Sequence, residues 1–235
     1  MKEKVTAYMA TIPDRRDIIL RSAKSICSQV DELVIYVNSI NMTDDPVYKK
    51  LPENCRVIFG ADIGDIGKFI ECEKWEGYVL TVDDDLLYPE NYVEHSILKV
   101  DEYERKAVIS YHGRILSTPV KSYYKAKEKY FNFANTLEKD TYVNQVGTGV
   151  MCLHASCITD VFAPFDFTMP NMSDLIFSAV MLSMGVPLVV AEHYRGWIKQ
   201  LPVKWTIGGL QYDNDEVETN FVNEANWPIL KLSDL

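Results

Sequence analysis

"GYVLTVDDDLLYP", residues 77–89, drives an apolar run into three consecutive aspartates and then into a proline. A short apolar stretch bounded by a glycine and by charge reads as a strand buried on both faces, the kind that parallel sheets use. Such a strand ends near Asp83, and open α/β sheets place their ligands at the carboxyl ends of their strands. Residues i and i+2 of a strand share a face, so Asp83 and Asp85 converge while Asp84 points away. Like charges repel, and each ionised carboxylate needs a partner, which is either water or a cation. Paired hard oxygen donors suit Mg²⁺ or Mn²⁺, with phosphate oxygens and water filling the remaining positions. The alternative is a solvated turn in which a helix dipole stabilises Asp84 or Glu90.

Working outward, strand and helix patterns alternate. "KVTAYMAT" is a short β-rich run, and "DRRDIILRSAKSICSQ" places Ile18, Ile19, Ala23, Ile26 and Cys27 at helical spacing. "ELVIYVN" and "CRVIFG" read as strands, "IGKFIECEKWE" as a helix, and "GYVLTVD" as the next strand. The order β-α-β-β-α-β predicts a parallel sheet. Pro89 suits a first helical turn, which predicts a helix over 89–104, and "KAVISYH" returns as a strand. Residues 113–145 are rich in Tyr, Lys and Asn and give no clear period. "VGTGVMCLHA" reads as a strand whose glycines admit close backbone approach. "SDLIFSAVMLSMG" reads as a helix with Ser173 as N-cap and Gly185 as its stop, followed by the strand "VPLVVAEH".

Composition bounds the setting. The chain has 235 residues, 47% hydrophobic and 25% charged, an ordinary globular mixture. A formal net charge of −10 argues against nonspecific nucleic-acid binding. Five cysteines show no C-x-x-C spacing, so they read as reduced thiols. No apolar run reaches 18 residues and the start lacks a signal-peptide pattern, which predicts a cytoplasmic protein. Residues 208–235 hold six Asp or Glu against the single Lys231, which predicts a polar, loosely held extension.

Five pieces in order, "ATIPDR", "DIGDIGK", "TVDDDLLYP", "GTGVMCLHA" and "SDLIFSAVMLSMGVPL", resemble the GT-A fold glycosyltransferases, in particular bacterial polysaccharide enzymes close to glycosyltransferase family 2. The resemblance spans roughly residues 4–195. It implies a Rossmann-like α/β domain over 1–207, with a mostly parallel central sheet flanked by helices. Residues 1–105 would bind a nucleotide-sugar, residues 106–207 an acceptor, and residues 208–235 would form an acidic extension that can act as a lid. The activity implied is metal-dependent and inverting. A sugar passes from a nucleotide-sugar, a UDP-sugar by preference, to a hydroxyl of a glycan or lipid-linked acceptor in surface polysaccharide synthesis. Acceptors of that kind imply peripheral association with the inner membrane face, although no amphipathic anchor is visible.

Carried over by position, Ala10, Thr11, Ile12 and Arg15 would line the nucleotide. Asp62 or Asp65 would accept hydrogen bonds from base or ribose, Lys68 would face the diphosphate, and Asp83 and Asp84 would border the donor. Asp83 and Asp85 would hold Mn²⁺ or Mg²⁺, and His193 would complete the metal shell, as a late histidine does in some members of the fold. Asp174 matches the aspartate that serves as catalytic base in inverting relatives. Those relatives often carry paired acids where this chain has Ser173 and Asp174, and an aspartate in a first helical turn also serves simply to stabilise the dipole. His112 could touch donor sugar or acceptor, and Tyr123, Tyr124, Tyr130 and Trp197 could stack on sugar rings.

Three other readings compete. "DDDLL" imitates the nucleophile motif of haloacid-dehalogenase-type phosphatases, but Leu87 stands where that motif needs Thr or Val. A nucleotidyltransferase usually carries a Gly- and Lys-rich loop where this chain has "TIPDRR". A noncatalytic nucleotide- or sugar-binding module is the third.

Overall fold

Four strands lie side by side and parallel: β1 (Val5–Thr11), β2 (Glu32–Val37), β3 (Cys55–Phe59) and β4 (Tyr78–Asp83). The computed structural model describes residues 3–126, 129–158, 169–204 and 206–235. Its main sheet runs in the order β3, β2, β1, β4, then the strands Val150–His154, Val108–Ser110, Leu188–Val190 and Thr141–Val143. Val150–His154 is antiparallel to both of its neighbours, and Thr141–Val143 is antiparallel to Leu188–Val190. The other six strands share one direction, so the sheet is mainly parallel, as the alternating pattern predicts.

Period-two alternation sorts the core onto two faces. Ala7, Met9, Leu33, Ile35, Leu80 and Val82 pack with α1 (Ile19–Cys27) and α2 (Tyr92–Glu102) on one side. Tyr8, Val34 and Val79 pack on the other side against α3 (Ser173–Ser183), through Leu175, Ile176, Phe177 and Met181. Both faces are therefore covered by helices, which is why β1, β2 and β4 read as nearly continuous apolar runs.

Local structure departs from expectation in three places. The helix expected over "IGKFIECEKWE" is instead two 3₁₀ turns, Gly64–Phe69 and Cys72–Lys74. Glu71 between them is left-handed at φ 62°, where its carboxylate bridges Arg56 and Lys74. Gly67 lies on the Tyr36 ring so closely that a Cβ there would meet Cδ1 at 2.5 Å, and that approach fixes the first turn. Pro89 precedes α2 instead of opening it, accepting a hydrogen bond from the Tyr92 N–H through its carbonyl. Ser173 is the first residue of α3 and not its cap; Met172 holds the cap position, and the Ser173 side chain turns to Asp65. Gly185, at φ 79°, follows the helix as its expected stop.

The acidic extension is docked. Its helices α4 (Ile207–Gln211) and α5 (Glu216–Glu224) lie against residues 120–125. Asp215 accepts hydrogen bonds from the Ser122 hydroxyl at 2.7 Å and the Tyr124 N–H at 2.8 Å. Val222 is fully buried, and the Trp227 carbonyl accepts from Asn144 Nδ2 at 2.9 Å. Asp213, Glu216 and Glu224 lie on the outer face, whereas Glu218 is buried on the inner side with Val222 and Trp227. No helix among the described residues is long and apolar enough to cross a membrane.

Candidate active site

The carboxyl ends of β1, β2 and β4 open onto a cleft of about 720 Å³. Ala10, Thr11, Ile12 and Arg15 line it from the end of β1 and the turn after it, and Asp62, Asp65 and Lys68 from the loop and 3₁₀ turn after β3. Asp83, Asp84 and Asp85 enter at the end of β4, and Asp174 from the first turn of α3. Four segments far apart in sequence thus converge.

His193 does not line this cleft. It is buried, with Nδ1 2.7 Å from the Ala191 carbonyl, Nε2 3.3 Å from that of Asn132, and its ring edge-on to Tyr111. The short strand that ends at Val190 carries it behind the wall formed by Asn132 and Phe133 instead of toward the carboxylates.

The three aspartates have separate environments. Asp83 Oδ1 lies 2.6 Å from Lys68 Nζ, and Gly149 leaves room for its carboxylate, since a Cβ there would come within 1.8 Å of Oδ2. Tyr88 secures the strand end, because its hydroxyl accepts from the Asp83 N–H and donates to the Gly149 carbonyl, each at 2.7 Å. Asp84 is buried and accepts from the Thr11 hydroxyl at 2.6 Å; burial pushes its pKa up to about 7. Asp85 lies 3.6 Å from Arg15 Nη1, and burial, with Asp83 beside it, pushes its pKa up to about 6. Asp83 and Asp85 thus face the cleft as a pair while Asp84 turns to β1.

Lys68 is nearly inaccessible, yet its ammonium is held charged because Asp83, then Asp65 and Asp174, outweigh the desolvation that opposes it. Asp65 accepts from the Ser173 N–H at 3.2 Å and from the Ser173 hydroxyl, while its other oxygen is buried without a partner. Burial accordingly raises its pKa. Asp174 Oδ1 accepts from both the N–H and the hydroxyl of Thr148, each at 2.7 Å. Its Oδ2 carries no hydrogen bond from a described residue, so one basic oxygen is fixed in orientation and open to the cleft.

Several participants escape a reading of the sequence. Asn38 ties the end of β1 to the "DIGDIG" loop, donating to the carbonyls of Thr11 and Gly64 and accepting from the Ile63 N–H. Thr148 orients Asp174, and the only signal for it is a polar residue between two glycines in "GTG". Arg114 and Glu218 line the far wall, from the aperiodic middle segment and from the acidic extension.

Two carboxylates from one strand end, with cations beside them and open space in front, fit a Mg²⁺ or Mn²⁺ ion. These ions are often held by one or two carboxylates together with water and substrate phosphates. Among the described residues no third His, Cys, Asp or Glu completes an all-protein site.

No protein-family model matches the chain, and no curated protein matches it. Among solved structures it is similar to S. aureus TarS, with a TM-score of 0.56 and 15% identity, over 82% of this chain and 36% of that one. The chain therefore spans little more than a third of that protein's length. TarS is a glycosyltransferase, and the likeness, with the mainly parallel sheet and its flanking helices, establishes a GT-A, Rossmann-like fold.

Proposed function

We propose that this chain is a glycosyltransferase that moves a sugar from a UDP-sugar to a hydroxyl of a glycan or lipid-linked acceptor in surface polysaccharide synthesis, with inversion. The observation that carries this reading is the convergence of Arg15, Lys68, Asp83, Asp85 and Asp174 on one cleft at the strand ends of a GT-A fold.

Ala10, Thr11 and Ile12 form the floor for the nucleotide, and Asp62 and Asp65 offer acceptors to base and ribose. The guanidinium of Arg15 holds the diphosphate by charge-assisted hydrogen bonds, and the buried ammonium of Lys68 faces it from behind Asp83. Asp83 and Asp85 would hold a divalent cation, which when bound supplies electrostatic stabilisation of the leaving diphosphate. Asp174 takes the proton of the acceptor hydroxyl on Oδ2, while Thr148 keeps Oδ1 occupied and the carboxylate in orientation. Attack from the Asp174 side, opposite the diphosphate, inverts the anomeric centre. His193, behind the wall in this conformation, would have to leave its carbonyl partners before it could reach a cation.

Release of UDP from a panel of UDP-sugars, with and without Mn²⁺, tests the reading. Release that requires both the cation and Asp174 supports it. UDP-sugars left intact across the panel, together with no binding of UDP, would overturn it.

A further inference from the structure

The half of the cleft facing Asp174 contains a buried cation with no counter-ion among the described residues. Arg114 is 7% exposed, and its Nε is buried without a hydrogen-bond partner. Its Nη1 donates to the Tyr123 carbonyl at 3.0 Å, and the guanidinium lies 4.3 Å from the centroid of the Tyr123 ring and 5.1 Å from that of Tyr130. No carboxylate among the described residues forms an ion pair with it. Glu218, also on this wall and buried, forms no ion pair with a described residue.

A guanidinium cannot shed its proton in a protein. Burying it unpaired is costly, and two aromatic faces offset only part of that cost. The remaining deficit calls for an anion, and none comes from the described chain. The position says which substrate would bring it. Arg114 lies on a short strand, Gly113–Arg114, paired with Gln145–Val146 and Tyr130–Phe131 outside the main sheet. Arg114 lines the cleft with Tyr123, Tyr130 and Asp174, and His112 borders Asp174 in a smaller pocket of about 110 Å³ beside it. The buried Nδ1 of His112 is likewise without a partner and offers a hydrogen bond to a sugar hydroxyl.

Building on the glycosyltransferase reading, we infer that Arg114 is an acceptor-binding residue and that the acceptor carries an anionic group, a sugar carboxylate or a phosphate, close to the hydroxyl that is glycosylated. The planar fork suits either group through two parallel hydrogen bonds, and the Tyr123 and Tyr130 rings hold it flat.

The test uses saturation-transfer NMR on the full chain with UDP and Mn²⁺ present to fill the donor half. The acceptor probes are glucuronate and glycerol 3-phosphate, each set against its neutral counterpart, glucose or glycerol. At least one anion should bind tenfold or more tightly than its neutral counterpart, and which anion does so identifies the source of the charge. Arg114→Gln should abolish that preference and Arg114→Lys should retain part of it, the lysine variant carrying the comparison if the glutamine variant loses its thermal transition. Equal binding of anion and neutral counterpart, or a preference that survives Arg114→Gln, overturns the inference. So does loss of UDP affinity in Arg114→Gln, which would assign the guanidinium to the donor diphosphate. UDP affinity of the parent chain is measured separately by calorimetry. Its absence would sink the glycosyltransferase reading and leave the probe comparison interpretable.

Discussion

Lys68 Nζ lies 2.6 Å from Asp83 Oδ1, with the lysine side chain 6% exposed and the aspartate 40%. The pair is therefore asymmetric: removing Asp83 strands a buried ammonium, while removing Lys68 leaves a carboxylate that the cleft can hydrate. Breaking a buried pair from the side that leaves the charge inside is the costly direction. Asp83→Ala should lower unfolding free energy by about 3 kcal/mol and Lys68→Met by about 1 kcal/mol or less. Urea denaturation of both variants checks the order, and a costlier Lys68→Met would mean that Asp65 depends on the ammonium more than Asp83 does.

Asp85 contributes a single weak ion pair, to Arg15, so its loss should spare the fold. Asp85→Ala should weaken UDP binding at least tenfold when Mn²⁺ is present and leave it unchanged when the cation is chelated. Titration calorimetry under both conditions reads this directly. Unchanged affinity in Mn²⁺ would remove Asp85 from any metal site.

What the sequence made legible follows from periodicity. The apolar runs of β1, β2 and β4 and the helices α1 and α3 are regular enough to read, and the end of β4 announces its own chemistry through Asp83, Asp84 and Asp85. The "DIGDIGK" turn misleads because Ile66, Lys68 and Phe69 are buried by a tight turn over Tyr36, not by one face of a helix. Arg114 sits on a two-residue strand, too short to show any period, and its partners, Tyr123 and Tyr130, are reached only through tertiary packing. In the extension, net acidity hides the apolar inner side, since Val222 of α5 and Trp227 beyond its end are too few to register as a pattern.

The extension forms part of the cleft wall through Leu210, Gln211 and Glu218. Amides of α5 should be protected from hydrogen exchange without ligand, because Asp215, Thr219 and Asn223 tie that helix to residues 120–124. If the extension also closes as a lid, UDP with Mn²⁺ should slow exchange over residues 207–212. Equal exchange in both states would make it a fixed wall.

His112 supplies a pH signature. Burial lowers its pKa from 6.5 to about 4, against the opposing pull of Asp174 and Asp83, while Arg114 and His193 push the same way as burial. The unfolded ring therefore binds a proton first as pH falls, and stability is lost between the unfolded and folded values, from about 6.5 down to about 4. His112→Gln removes this loss. The stability advantage of the parent over the variant should shrink by about 1–3 kcal/mol between pH 7 and pH 4. A pH-independent difference would mean that the ring is not held neutral by the fold.

The most direct test of sugar transfer is to follow the anomeric carbon of a ¹³C-labelled UDP-sugar by NMR, with Mn²⁺ and acceptor present, for the parent chain and for Asp174→Asn. Asparagine keeps an oxygen that accepts from Thr148 but gives up the basic carboxylate, so donor affinity should hold while transfer falls about 100-fold or more. The parent should replace the donor signal with that of a product of opposite anomeric configuration. A product that retains configuration, or an Asp174→Asn variant with near-normal turnover, would contradict Asp174 as base, and a donor signal that persists unchanged would contradict glycosyl transfer itself.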